Sequence, residues 1–251
     1  MAPRKKTGKE IVKWDEEFAG LAKDATKGME LSSGKFISTR GGRLSFNGED
    51  LPGNELQAVI LGWVYENQYY EGKFDPDTPQ APVCYAFGTD TDEMEPHAEA
   101  PDKQCDTCAE CPLNEWGSAD TGKGKACKNV VRLALMAASD LEDIDSAEIV
   151  YLKIPVMSVK NFTTYAKKRV AEALSRPYWA VVTTIALEQD NQSQFRVTFR
   201  VEEKVEDSKL FTPLKALWEK AMEGIDFPYP KYEEEEAPKP KKRAKTKFAR
   251  K

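Results

Sequence analysis

The run Leu56-Gln-Ala-Val59-Ile60-Leu61-Gly62-Trp63-Val64-Tyr65-Glu-Asn-Gln-Tyr69-Tyr70 is rich in β-branched, aliphatic and aromatic residues and contains no proline. That composition predicts one long β-strand over 56–70. Val59, Leu61, Trp63 and Tyr65 alternate along it and are expected on one face. Gly62 marks a bulge or a barrel bend within it.

Further strands flank this one. Residues 35–47 read as a hairpin, with Phe36-Ile37 before Thr39-Arg40-Gly41-Gly42-Arg43 and Leu44-Ser-Phe46 after it. The paired glycines permit positive φ at its tip. A proline-rich loop from Asp75 to Pro82 leads into a short strand, Val83–Phe87. Ile149–Ile154 is another strand, ended by Pro155. Tyr178–Leu187 and Gln194–Val201 pair as a hairpin, and in the second Phe195, Val197, Phe199 and Val201 alternate with Arg196, Thr198 and Arg200.

Helical spacing appears in four places. Ile11, Trp14, Phe18, Leu21, Ala22 and Ala25 form a stripe over 10–26 that packs on the chain's own core or on a partner. A helical pattern runs from Cys127 to about Ala138, with Lys128 and Arg132 one turn apart. Residues 158–174 place Phe162, Tyr165, Ala166, Val170 and Leu174 inward, with Lys167, Lys168 and Arg169 clustered. A last helix starts at Thr212-Pro213 and stops at Gly224.

Six or seven strands with few helices predict an α+β, mainly β, chain. The expected fold is a small, closed, oligonucleotide-binding-like β-barrel with a zinc-binding insert, flanking helices and disordered basic ends. The expected organisation is a basic arm at 1–9, a helix at 10–26, the barrel at 27–230 with its insert at about 84–128, and a tail at 231–251 that is acidic and then basic.

At 251 residues and 40% hydrophobic content, the chain can bury a real core. A mean hydropathy of -0.61 and 31% charged residues are those of a soluble protein. No apolar run reaches the roughly 20 residues of a membrane helix, and Met1-Ala-Pro-Arg4-Lys5-Lys6 has no secretory h-region. A reducing cytoplasm is the expected compartment. The net charge of -5 hides an asymmetry: the first nine residues carry +4 and residues 237–251 carry +8, which leaves 10–236 at -17. Any nucleic-acid site on such a body must be a local basic surface.

All five cysteines fall between Cys84 and Cys127, most of them in Cys105-Asp-Thr-Cys108-Ala-Glu-Cys111-Pro. In a reducing compartment, clustered cysteines favour a metal over disulfides. Cys108-x-x-Cys111 lets two thiolates chelate one ion, Cys127 adds a third, and Cys84 is the choice for the fourth, with Cys105 and His97 as alternates. Four protein ligands leave no open position, so the expected zinc is structural. An iron–sulfur cluster is the competing metal, because Cys-x-x-Cys-x-x-Cys-Pro resembles a ferredoxin run without its fourth cysteine at short spacing.

Around this block lie aromatic and basic residues. Tyr69, Tyr70, Phe74 and Trp116 are candidate stacking platforms, and Lys123, Lys125, Lys128 and Arg132 are candidate phosphate contacts. Arg40, Arg43, Arg196 and Arg200 lie on hairpins that could rim a groove. Gly117-x-x-x-x-Gly122-Lys123 imitates a phosphate-binding loop, but Gly124 stands where Ser or Thr is needed and no strand precedes it. Glu71-Gly-Lys73 with Asp75 is only a faint echo of a nuclease site, and a single histidine excludes most histidine-based mechanisms. The chain is therefore not expected to be an enzyme.

Several segments together resemble a group of tailed-bacteriophage replication-module proteins. They are Lys27-Gly28-Met29, Phe36-Ile-Ser-Thr-Arg40-Gly-Gly, Tyr69-Tyr70-Glu-Gly-Lys-Phe-Asp-Pro-Asp, Pro82-Val-Cys84-Tyr-Ala-Phe-Gly and Cys108-x-x-Cys111-Pro-x-Asn-x-Trp-Gly-Ser with Gly-Lys-Ala-Cys127-Lys. The likeness spans about residues 25–205, and some members look like single-stranded-DNA-binding proteins. In architecture alone, a barrel with a zinc insert is similar to the helix-destabilising protein of T-even phages. The resemblance implies a single-stranded-DNA-binding protein of phage replication or recombination, working in the host cytoplasm, with replication or recombination proteins as partners through its ends. One departure stands out: where such binders often end in an acidic tail, Glu233–Glu236 is followed here by a basic one. The alternative function is a zinc-stabilised interaction protein acting on host transcription or defence, and a remoter one is an iron–sulfur nuclease.

Overall fold

A computed structural model describes residues 35–72 and 80–229 of the chain. The expected helix at 10–26, the two basic ends and Phe74 lie outside the described residues.

Among the described residues the protein is α+β and mainly strands, with a seven-stranded sheet curled into a half-barrel and two α-helices. Its central strand is β4 (Glu55–Tyr69), fifteen residues long. β4 pairs antiparallel with β5 (Cys84–Gly88), β6 (Lys128–Ala137) and β8 (Val181–Asp190). Beyond β8 lies β9 (Gln194–Lys204), and beyond β6 lie β7 (Val150–Ile154) and then the two-residue β1 (Phe36–Ile37), parallel to β7. β2 (Ser45–Phe46) and β3 (Glu49–Asp50) form a small separate ladder. Among the described residues β1 and β9 are edges and do not pair with each other, so the expected closed barrel is not formed. The hairpin expected at 35–47 is reduced to one bridge, Ser38 to Ser45, because Phe36-Ile37 pairs with β7 instead.

Two helices cover the two faces of the sheet. α1 (Val156–Thr164) continues as a π-helix over Tyr165–Glu172. Its Phe162, Tyr165 and Val170 pack with Ile60, Leu133, Leu152, Ile185 and Val197 in the larger core. α2 (Phe211–Glu223) sets Leu214 and Ala221 against Val59, Leu61, Ala134 and Val182 on the opposite face.

The register of β4 slips between Ile60 and Gly62, and this bulge changes the side-chain parity. Val59 and Leu61 face α2, whereas Trp63 and Tyr65 face the α1 core. The single face expected for all four is therefore divided in two at Gly62. A methyl group on Gly62 would stand 2.9 Å from the Met222 sulfur, so α2 also packs closely on the bulge.

The segment after Cys127 is strand β6, not a helix. Val131, Leu133 and Leu135 enter one core while Ala134 and Met136 enter the other. A central strand buried on both faces reads as a continuous apolar run, and periodicity alone does not separate that from a buried helix.

Candidate functional site

The cysteines are brought together from three elements. Cys84 begins β5, and Tyr69 of β4 is its register partner. The chain then runs back beside β5, with His97 N–H donating to Tyr85 O and Asp102 N–H to Val83 O, both at 2.8 Å. Gly88 lacks a side chain where a Cβ would stand 2.6 Å from Met94 Cγ, and buried Met94 accepts the Cys108 N–H at 2.8 Å. Cys127 N–H donates to Leu113 O at 2.8 Å, returning the loop to the start of β6.

Cys84, Cys105, Cys108, Cys111 and Cys127 all line one small cavity of about 10 Å³, together with Asn67, Tyr69 and Asn114. All five thiols are free. Burial, joined by the neighbouring sulfurs, pushes Cys127 and Cys105 up to about 12. Burial likewise raises Cys84 and Cys108, the latter opposed by a hydrogen bond from Asn67. Among the described residues no three Cys, His, Asp or Glu side chains are gathered tightly enough to form a metal cage. His97 is not part of the cavity lining. Its ring stacks on Tyr85, 5.2 Å between centroids, and its Nδ1 accepts the Glu99 N–H.

Three asparagines that sequence reasoning missed tie this loop to the sheet. Asn129 Nδ2 donates to Asn67 Oδ1 at 2.6 Å and to Asn114 Oδ1 at 3.0 Å. Asn114 in turn donates to Cys108 O at 2.8 Å and receives the Lys125 ammonium at 3.1 Å. Their only sequence signal is proximity to Cys111, Cys127 and the end of the long strand.

Beyond the sulfurs, the loop presents Trp116, 81% exposed. Gly117 N–H donates to Gly124 O at 2.8 Å, closing a small loop whose outer turn carries exposed Lys123. Ser118 Oγ donates to Leu113 O and Glu115 O and accepts the Ala126 N–H. Trp116 thus stands on an internally bonded platform. Lys128 is exposed, with its ammonium on Lys125 O at 3.2 Å. Tyr69 and Tyr70 are half-buried at the adjoining end of β4, where Tyr70 Oη donates to Gln68 Oε1.

The four hairpin arginines lie elsewhere. Arg196 pairs with residue Glu188 of β8, beyond the register partner of Glu55, so this group sits at the opposite end of β4. The length of β4 lies between the two sets. Three of the four face acids: Arg43 with Asp50 at 2.5 Å, Arg196 with Asp190 at 3.6 Å and Glu188 at 3.9 Å, and Arg200 with Glu202 at 3.6 Å. Arg40 is exposed and makes no ion pair among the described residues.

Arg132 is not on a basic surface. It is 1% exposed, on the α2 face of β6, because the segment is a strand rather than a helix. Its guanidinium donates to Glu66 and to the carbonyls of Ile225 and Phe227 at 2.9 and 3.1 Å, and stacks over Phe87 and Phe227. Tyr229 donates to Glu66 Oε1 and accepts from Lys153. Burial and the Glu66 charge push the Tyr229 phenol up, which keeps it a donor. This buried group is a clamp that holds the chain after α2 against the sheet.

No family model matches this chain, and neither does any curated protein or solved structure.

Proposed function

We propose that this protein binds single-stranded DNA without catalysis, in phage replication or recombination, and that a structural zinc organises its cysteine loop. The observation that carries the reading is Trp116, a large ring 81% exposed on a loop fixed by its own hydrogen bonds, with Lys123 on the same loop. An exposed indole stacks on an unpaired base, and a base inside a duplex presents no free face to it. Tyr69 ends β4 beside that loop, and Tyr70 follows it. The half-barrel is compatible with an oligonucleotide-binding-like fold, and the likeness to phage replication-module proteins points to the same function.

The thiols are the donor type zinc takes, although among the described residues no three of them converge as a cage, so binding would draw them inward. Five soft thiols around an atom-sized cavity suit a single thiophilic ion better than a multi-iron cluster. Cys84, Cys108, Cys111 and Cys127 would hold it, with Cys105 as the spare. The ion's charge would reverse the raised thiol values by stabilising thiolates.

The test is a titration of labelled single-stranded and duplex oligonucleotides at low and moderate salt. Tight, salt-sensitive binding to the single strand supports the reading. Absence of binding to either sinks it and leaves the interaction-protein alternative.

A further inference from the structure

The outward face of α1 and its π-helical continuation carries Lys160, Lys167, Lys168 and Arg169, all exposed and none in an ion pair among the described residues. Between 156 and 176 the only acid is Glu172. Residues 10–236 together carry -17, so a run of four cations with one acid stands out in the sequence. The cysteine loop is electrostatically weaker, because Asp106, Glu110, Glu115 and Asp120 are interleaved with its lysines.

The π-helix carries three of these cations. Ser158, Phe162, Ala166, Val170 and Leu174 recur every four residues and face inward. In a helix of 3.6 residues per turn, such a stripe drifts by about 40° at each step. The wider π turn takes up that drift and returns Val170 to the core. Tyr165 and Val170, five apart, are both buried, and that leaves Lys167, Lys168 and Arg169 as three consecutive exposed cations.

α1 also links β7 to the edge strand β9. It follows β7 after Pro155, and at β9 its Ser158 Oγ accepts the Val197 N–H while Asn161 Nδ2 donates to Val197 O. Two residues along the same face of β9, the Phe195 ring lies directly under Gly42, next to Arg40. The turn that carries Arg40 and the basic helix therefore rest on neighbouring residues of one strand. Met157, 61% exposed, adds an apolar surface at the start of the helix.

We infer that the outward face of α1, with Lys160, Lys167, Lys168 and Arg169, is the principal contact for the phosphate backbone of a single strand. The inference rests on the function proposed above and names a surface that the cysteine loop does not include. The experiment compares the full-length wild type with two variants. One is K160Q/K167Q/K168Q/R169Q; the other is K123Q/K125Q/K128Q on the cysteine loop. Each is titrated with a fluorescein-labelled oligo-dT of about 20 nucleotides, longer than the site of a single oligonucleotide-binding barrel, at several salt concentrations.

The helix variant is expected to bind at least about tenfold more weakly and to lose about 3 units of salt slope, since each single-strand phosphate contact contributes about 0.7. The loop variant is expected to lose less of both. The variant K160R/K167R/K168R/R169K, which keeps the charges, restores wild-type binding if charge is what the face supplies. A wild type that binds and a folded helix variant with unchanged affinity and slope would overturn this inference and leave the proposed function standing. A wild type that binds no oligonucleotide even at low salt would overturn both.

Discussion

The wholly buried Glu66 carboxylate receives the Arg132 guanidinium through two hydrogen bonds, Nε to Oε2 at 2.8 Å and Nη2 to Oε1 at 3.0 Å. The two residues lie on neighbouring strands, two residues off direct register and on the same face. Gln68, Lys153 and Tyr229 complete the shell around the same carboxylate. Removing Arg132 leaves that carboxylate without its main partner in the core. Arg132→Ala is expected to lower stability by about 3–5 kcal/mol, the usual cost of breaking a buried pair from one side. Urea unfolding checks it, and a loss under 1 kcal/mol would show that the clamp is not what ties the α2 segment to the sheet.

Burial alone would raise the Glu66 carboxyl. The charge of Lys153, the hydrogen bonds and charge of Arg132 and the Tyr229 hydrogen bond overcome it and hold the carboxyl below its ordinary 4.5. A carboxyl lowered by folding contributes stability that is complete above its unfolded value and is lost as pH falls through the folded one. The wild type is therefore expected to lose stability below about pH 4.5, and Glu66→Gln is expected to flatten part of that acid limb. Melting temperatures recorded from pH 3 to pH 7 measure both.

Metal analysis of the purified protein is expected to find one zinc per chain and no visible absorption of an iron–sulfur cluster. Chelation is expected to loosen residues 105–127 while the sheet persists, since its two cores contain no cysteine. Cys105→Ser is expected to keep the metal, whereas Cys108→Ser or Cys111→Ser loses it. A full complement of zinc in Cys108→Ser would reject the proposed ligand set.

Trp116→Ala removes a side chain that packs on little of its own protein. Its melting temperature is expected to match the wild type, and its single-strand affinity to fall by the 1–3 kcal/mol typical of one stacked base. Equal affinities in the two proteins would remove Trp116 from the binding surface.

Gly42→Ala combines two conflicts, a φ of +74° and a Cβ 2.1 Å from the Phe195 ring. A destabilisation of about 1–3 kcal/mol is expected from overpacking and backbone strain together. Asn54 holds the same turn by donating to Gly42 O and Leu187 O, so Asn54→Ala should act in the same direction. Chemical denaturation of the two single variants measures it.

Much of the strand inventory was legible because alternation along a strand is a local property. The run at 56–70, the segment before Pro155 and the alternation from Phe195 to Val201 correspond to β4, β7 and β9. Gly224 closes α2, where a residue without a Cβ ends the helix. β6 was misread because burial on both faces erases the alternation that identifies a strand. Arg132 was misplaced with it: a helix would have turned the side chain outward, while the strand points it at Glu66.

The amino-acid order by itself determined which residues prefer strand, which thiols could share a ligand and where charge concentrates, since each follows from neighbours within a few positions. Only the tertiary structure decided the rest. The bulge at Gly62 exchanges faces because pairing registers are set across strands distant in sequence. The cysteines converge on one cavity because β5 and β6 lie on either side of the end of β4 and carry Cys84 and Cys127 there. The continuation of α1 as a π-helix over Tyr165–Glu172, with Tyr165 and Val170 both in the core, was not legible in the residue spacing.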